Sequence, residues 1–158
     1  MIVFDAGNTR FNYRVVGVAL HEERVLLHRA EIDDFWTLPG GRGELREPAA
    51  QTLTREMHEE LQSEVTVERL VWVVVNFFDY DTKHYHELAF YFLMSFPPGS
   101  PLYNHRAPFR GCEGNVYLIF EWHPLAALEQ LTLYPTFLKR SLQNLPGGIE
   151  HIVHTDDK

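Results

Sequence analysis

The chain has 158 residues, 45% hydrophobic and 23% charged, a composition that excludes disorder, collagen-like repeats and coiled coil and suits one domain. Fourteen Lys and Arg stand against 22 Asp and Glu, so the net charge of −8 argues against a nucleic-acid partner held by bulk electrostatics. The one cysteine, Cys112, excludes a disulfide within the chain and a cysteine-based zinc site.

The start, MIVFDAGNTR, has no basic region followed by a long apolar run, and no apolar stretch reaches membrane-helix length. The expectation is a cytoplasmic protein without membrane contact. Phe11 to Leu20 and Arg24 to Arg29 read as strands around the turn-like His21-Glu22-Glu23. Leu38-Pro39-Gly40-Gly41 has loop chemistry. Residues 47–61 read as a helix, and 65–80 and 84–96 as strands joined at a turn over 79–83. Pro97 to Gly114 is rich in Pro and Gly and is expected to be a surface loop that shapes a pocket. Val116 to Trp122 reads as a strand. Residues 124–128 and 135–142 look helical, each with proline at its start. The pattern predicts an α/β domain, with a mixed sheet and helices on its faces.

The helix carries the chemistry. Ala49, Ala50, Leu53, Met57 and Leu61 recur at helical spacing and form one apolar stripe. Glu60 falls near the middle of that stripe, with Glu56 at its edge and Glu59 further round on the same side. A buried ionised carboxylate is costly unless it is paired or bound to metal. Glu56 and Glu60 are also like charges at i,i+4, which repel. A solvated acidic helix face is the simpler alternative. A hard divalent cation, Mg²⁺ or Mn²⁺, is the reading that accounts for the buried position.

The spacing decides between them. Gly41, five residues, Glu47, seven residues, then Arg55-Glu56-Met57-His58-Glu59-Glu60 resembles the Nudix box, and the Leu-Pro-Gly-Gly lead-in is typical of that family. The resemblance extends over most of the chain. It implies one Nudix domain over residues 1–158, a mixed β-sheet sandwiched between α-helices in an α/β/α arrangement. It implies a MutT-like hydrolase that cleaves a diphosphate bond in a nucleoside diphosphate derivative such as a nucleotide, nucleotide sugar or ADP-ribose. By the family pattern Glu56, Glu59 and Glu60 bind metal, Gly41 contributes its carbonyl, and Glu47 and Arg55 support the site. Many family members place a further glutamate near the metal, and Glu87, interrupting an apolar strand, is the candidate here. Glu113 and Glu121 are weaker ones. Two positions depart from the box: its closing Gly and apolar residue are Gln62 and Ser63. The Gly serves as a left-handed helix C-cap, so the departure alters how the helix ends and removes no catalytic group.

Positive charge for phosphate must come from few groups, and Arg29 and Arg42 flank the glycine loop as candidates. Trp36, Tyr103 and Phe109 are large enough to stack on a base, though such rings more often fill a core. The expected partner is a small nucleoside diphosphate-type molecule, and a homodimer is open. The alternative function is a Nudix-fold module that binds a nucleotide without turnover. The complete set Glu56, Glu59 and Glu60 favours the enzyme.

Overall fold

The computed structural model describes residues 1–156; the Glu113 side chain also lies outside the described part. Ten strands form two sheets. The first runs β1 (Val3–Ala6), β2 (Thr9–Val18), β7 (Lys83–Ser95), β6 (Thr66–Tyr80), β10 (Glu150–Asp156), with β5 (Gly40–Arg42) also paired to β2. The second runs β3 (Leu20–His21), β4 (Arg24–Ala30), β9 (Val116–Pro124), β8 (Phe109–Glu113). The first sheet is mixed: β2 and β7 are parallel, as are β6 and β10, while β6 and β7 form a long antiparallel hairpin.

Helix α1 (Ala49–Leu61) packs against β2, β5, β6 and β8. Its Leu53 and Met57 are fully buried with Val15, Leu26, Met94 and Phe120. With the partly buried Ala49 and Leu61 they make up the apolar stripe read from the sequence, while Ala50 is exposed and falls outside it. A second core, containing Val16, Leu27, Trp72, Ala89 and Tyr91, packs against a 3₁₀ turn (Leu125–Gln130) and the short helix α2 (Leu138–Ser141). Alternation along β2 therefore divides the site. Tyr13 and Val15 turn toward the core shared with α1, while Asn12, Arg14 and Val16 line a cavity on the other face.

Several elements differ from the sequence expectation. Gly40 and Gly41 form a short strand because Gly40, Gly41 and Arg42 pair with Val16, Val15 and Arg14. The expected loop over 97–114 holds a 3₁₀ turn (Pro101–Asn104) and strand β8, where cross-strand pairing with β9 supplies order that Pro and Gly content does not reveal. The two C-terminal helical segments shrink to the 3₁₀ turn and the four residues of α2. Strands β1 and β10 have no counterpart in the sequence reading. No helix among the described residues is long and apolar enough to cross a membrane.

Candidate active site

Arg55 organises the carboxylates. Its Nε and Nη2 donate to the two oxygens of Glu47 at 2.8 and 3.1 Å, a forked pairing. Its Nη1 donates to Glu56 Oε1 at 3.0 Å and to Glu59 Oε2 at 3.3 Å. Nη2 also reaches the Arg42 carbonyl at 3.3 Å, tying α1 to β5. The buried Thr52 hydroxyl donates to Glu47 Oε1 at 2.6 Å. The Arg55 guanidinium holds the Glu47 carboxyl down at about 2, and Glu47 in turn raises the Arg55 pKa.

Glu56 and Glu60 are buried, at 9% and 3% exposure, as their place on the apolar stripe demands. Glu59, one position before Glu60, is exposed. The Glu56 carboxylate lies directly against Gly41, where any Cβ would overlap it. At the other end of α1, Gln62 adopts the left-handed conformation (φ 54°, ψ 39°), and its N–H closes the helix onto the His58 carbonyl.

The candidate donor set, the carboxylates of Glu56, Glu59 and Glu60 with the Gly41 carbonyl, is all oxygen. It fits Mg²⁺ or Mn²⁺ and suits softer metals poorly. Among the described residues no three His, Cys, Asp or Glu side chains are already gathered around one point as a metal cluster. Arg55 engages Glu47, Glu56 and Glu59 instead.

A cavity of about 280 Å³ opens on the opposite face of β5 and β2. Arg14, Arg29, Arg42, His28, Asn12, Asn76 and Glu87 line it. Glu87 shares this face with Ala89 and Tyr91, so the structure places it in the cavity and does not bring it to the α1 carboxylates. Glu121 lies on β9, 3.3 Å from His123 Nε2 and apart from the α1 cluster. Burial pushes the His123 pKa down.

Arg42 and Arg29 both reach the cavity. Arg29 is largely spent on structure: its Nη1 donates to the carbonyls of Ala30, Glu31 and Asp33, and its guanidinium lies 5.3 Å from the Trp36 ring centroid. Arg14 is the cation that the sequence reading missed. It stands directly across from Arg42 in the β2–β5 pair, and its Nη2 donates to the Leu38 carbonyl at 3.2 Å. Burial, with the Arg14 charge in support, drives His28 down to about 3, so His28 is neutral at pH 7. Trp36, Tyr103 and Phe109 do not line the cavity. Tyr103 and Phe109 pack against the core of α1, and Trp36 against the other. Phe35, Phe78, Tyr80, Tyr85 and Tyr134 line the cavity instead.

A family model for the NUDIX domain matches residues 12–145. The chain therefore belongs to the NUDIX domain family. Solved structures with a similar fold include a UDP-X diphosphatase (19% identity, TM-score 0.58), covering 89% of this chain and 66% of that one. A MutT protein from Bacillus halodurans is similar at 17% identity and a TM-score of 0.57, over 90% and 89% of the two chains. An ADP-ribose pyrophosphatase from Streptococcus suis is similar at 15% identity and a TM-score of 0.52, over 90% and 98%. This chain thus spans just under two thirds of the UDP-X diphosphatase. No curated protein sequence matches it.

Proposed function

We propose that the protein hydrolyses a diphosphate bond in a nucleoside diphosphate derivative, with Mg²⁺ or Mn²⁺ as cofactor. The observation that carries this reading is the convergence of Glu47, Glu56 and Glu59 on Arg55, beside a glycine that admits the Glu56 carboxylate. Glu56, Glu59, Glu60 and the Gly41 carbonyl would hold the metal. A bound divalent cation supplies Lewis acidity toward phosphate oxygens and a more acidic water.

The remaining work falls to the chain's own residues. Glu56, fixed between Arg55 and Gly41, orients the attacking water and accepts its proton at a carboxylate oxygen. Glu47, held ionised by Arg55, keeps that guanidinium in place. Arg14 and Arg42 meet across β2 and β5 on the cavity face. Like charges directly opposite one another are unfavourable in a sheet, and an anionic phosphate between them relieves the repulsion. β5 thus carries both halves of the site, with Gly41 toward the carboxylates and Arg42 toward the cavity.

The test is hydrolysis of a panel of nucleoside triphosphates, nucleotide sugars, ADP-ribose and dinucleoside polyphosphates with Mg²⁺ or Mn²⁺, with product identification. Wild type releases phosphate, pyrophosphate or a monophosphate from at least one class, and Glu56→Gln loses about 100-fold or more in kcat. Equal turnover by Glu56→Gln removes the catalytic assignment. Binding without turnover on every substrate identifies a non-catalytic nucleotide-binding module.

A further inference from the structure

The cavity floor holds a row of polar groups that phosphate chemistry leaves unused. Strand register places Asn12, Glu87 and Asn76 side by side across β2, β7 and β6. Their exposures are 2%, 8% and 3%, and all three line the cavity. Asn12 Nδ2 donates to Glu87 Oε2 at 2.9 Å, which fixes the Asn12 amide with its oxygen turned away from the carboxylate. The Oδ1 atoms of Asn12 and Asn76 have no hydrogen-bond partner among the described residues. A buried oxygen left without a donor is costly and calls for a partner. The row is therefore built around one acceptor, the Glu87 carboxylate, which Asn12 holds in place, with a buried amide on either side.

The walls above it are flat. Phe35 packs edge-on against Tyr80 and Tyr134, at centroid distances of 6.1 and 5.5 Å, and Phe78 stacks on Tyr85 at 4.9 Å. All five rings line the cavity. Aromatic walls over an acceptor floor suit a planar ring whose edge presents hydrogen-bond donors.

We infer that the Asn12–Glu87–Asn76 row reads the base of the substrate and selects guanine. Guanine presents its N1–H and its 2-amino group side by side, two donors that one carboxylate accepts together. Adenine presents a donor beside the N1 lone pair, which faces the carboxylate with like polarity. Hypoxanthine keeps N1–H but lacks the amine. The inference rests on the nucleotide reading above and deepens it by naming the base. It assigns Glu87 to substrate recognition.

The experiment is equilibrium binding of GDP, IDP and ADP to the full chain in EDTA, by calorimetry. GDP binds at least about tenfold more tightly than ADP, with IDP between them. Glu87→Gln, which keeps the side-chain shape, brings GDP and ADP within about threefold of each other, and Asn76→Ala narrows the gap in the same direction. Far-ultraviolet circular dichroism and thermal melts confirm that both variants are folded. ADP binding as tightly as GDP, or a full GDP preference in Glu87→Gln, overturns the inference. ADP-ribose titrated in the same way and binding more tightly than GDP also overturns it, because the donors then come from hydroxyl groups. Metal-free binding involves no turnover, so a protein that prefers GDP and hydrolyses nothing fails the hydrolase reading alone.

Discussion

The carboxylate of Glu56 occupies the space that a side chain at position 41 would take. Gly41 is required for this close approach, not for an unusual backbone angle, since it pairs with Val15 as an ordinary strand residue. Gly41→Ala must push Glu56 off Gly41 and strain its bond to Arg55. We expect a loss of about 1–3 kcal/mol in stability from overpacking, measured by urea denaturation. Turnover should fall by about 100-fold, because about 1 Å of misplacement costs that much at a reacting centre.

Gln62 carries a strained backbone where a glycine would carry none. A residue with a Cβ in the left-handed region costs roughly 1–2 kcal/mol. Gln62→Gly is expected to raise stability by about 1 kcal/mol, moderated by the extra freedom of glycine in the unfolded chain. The check is a thermal melt, with turnover unchanged because Gln62 touches none of the carboxylates.

The helix and its glutamates were legible in the sequence because the box spacing and the apolar stripe agree at the same positions. Burial of Glu56 and Glu60 follows from that stripe alone. The cavity was not legible. Asn12 and Asn76 each break an aromatic or apolar strand, Phe11-Asn12-Tyr13 and Val75-Asn76-Phe77. That signal was present, but only strand register shows that both flank Glu87. Arg14 was missed for a similar reason. It sits 28 residues before Arg42, and their juxtaposition depends on β5 pairing with β2. Strand β10 has no strong local pattern, since its exposed Val153 and His151 belong to the sheet edge.

Arg14 is expected to act on substrate binding more than on the chemical step. Arg14→Met removes one charged donor from the cavity and should raise KM about tenfold or more with a smaller effect on kcat. Steady-state kinetics on the preferred substrate separate the two. An unchanged KM rules out a phosphate contact at Arg14.

Acid should weaken the fold in two stages. His28 is buried and neutral, with its folded pKa lowered to about 3. The unfolded chain therefore binds the extra proton first, and stability falls as pH drops from about 6.5 toward 3, by up to about 1.4 kcal/mol per pH unit. Chemical denaturation at pH 7, 5.5 and 4 measures this slope, and His28→Gln should flatten it.

Glu47 adds a later stage. Its folded pKa is depressed to about 2 by Arg55, so its stabilisation is complete above the ordinary carboxylate value. That contribution is lost as pH falls from about 4.5 toward 2. Arg55→Leu removes it at every pH, and the variant should show a shallower pH dependence below 4.5. Denaturation midpoints of the two proteins at pH 6 and pH 3 test this.

The last described strand has a consequence for the order in which the molecule becomes competent. Asp156, at the end of β10, lines the cavity and accepts hydrogen bonds from the Thr136 backbone N–H and hydroxyl, at 3.3 and 2.6 Å. Thr136 follows Tyr134 and Pro135, which form part of the same wall. β10 can take its place only by lying alongside β6, a strand made some 80 residues earlier. On the ribosome the carboxylate helix is complete long before that wall is fastened. A nascent chain therefore carries its acidic centre for a period in which the cavity stands open on one side.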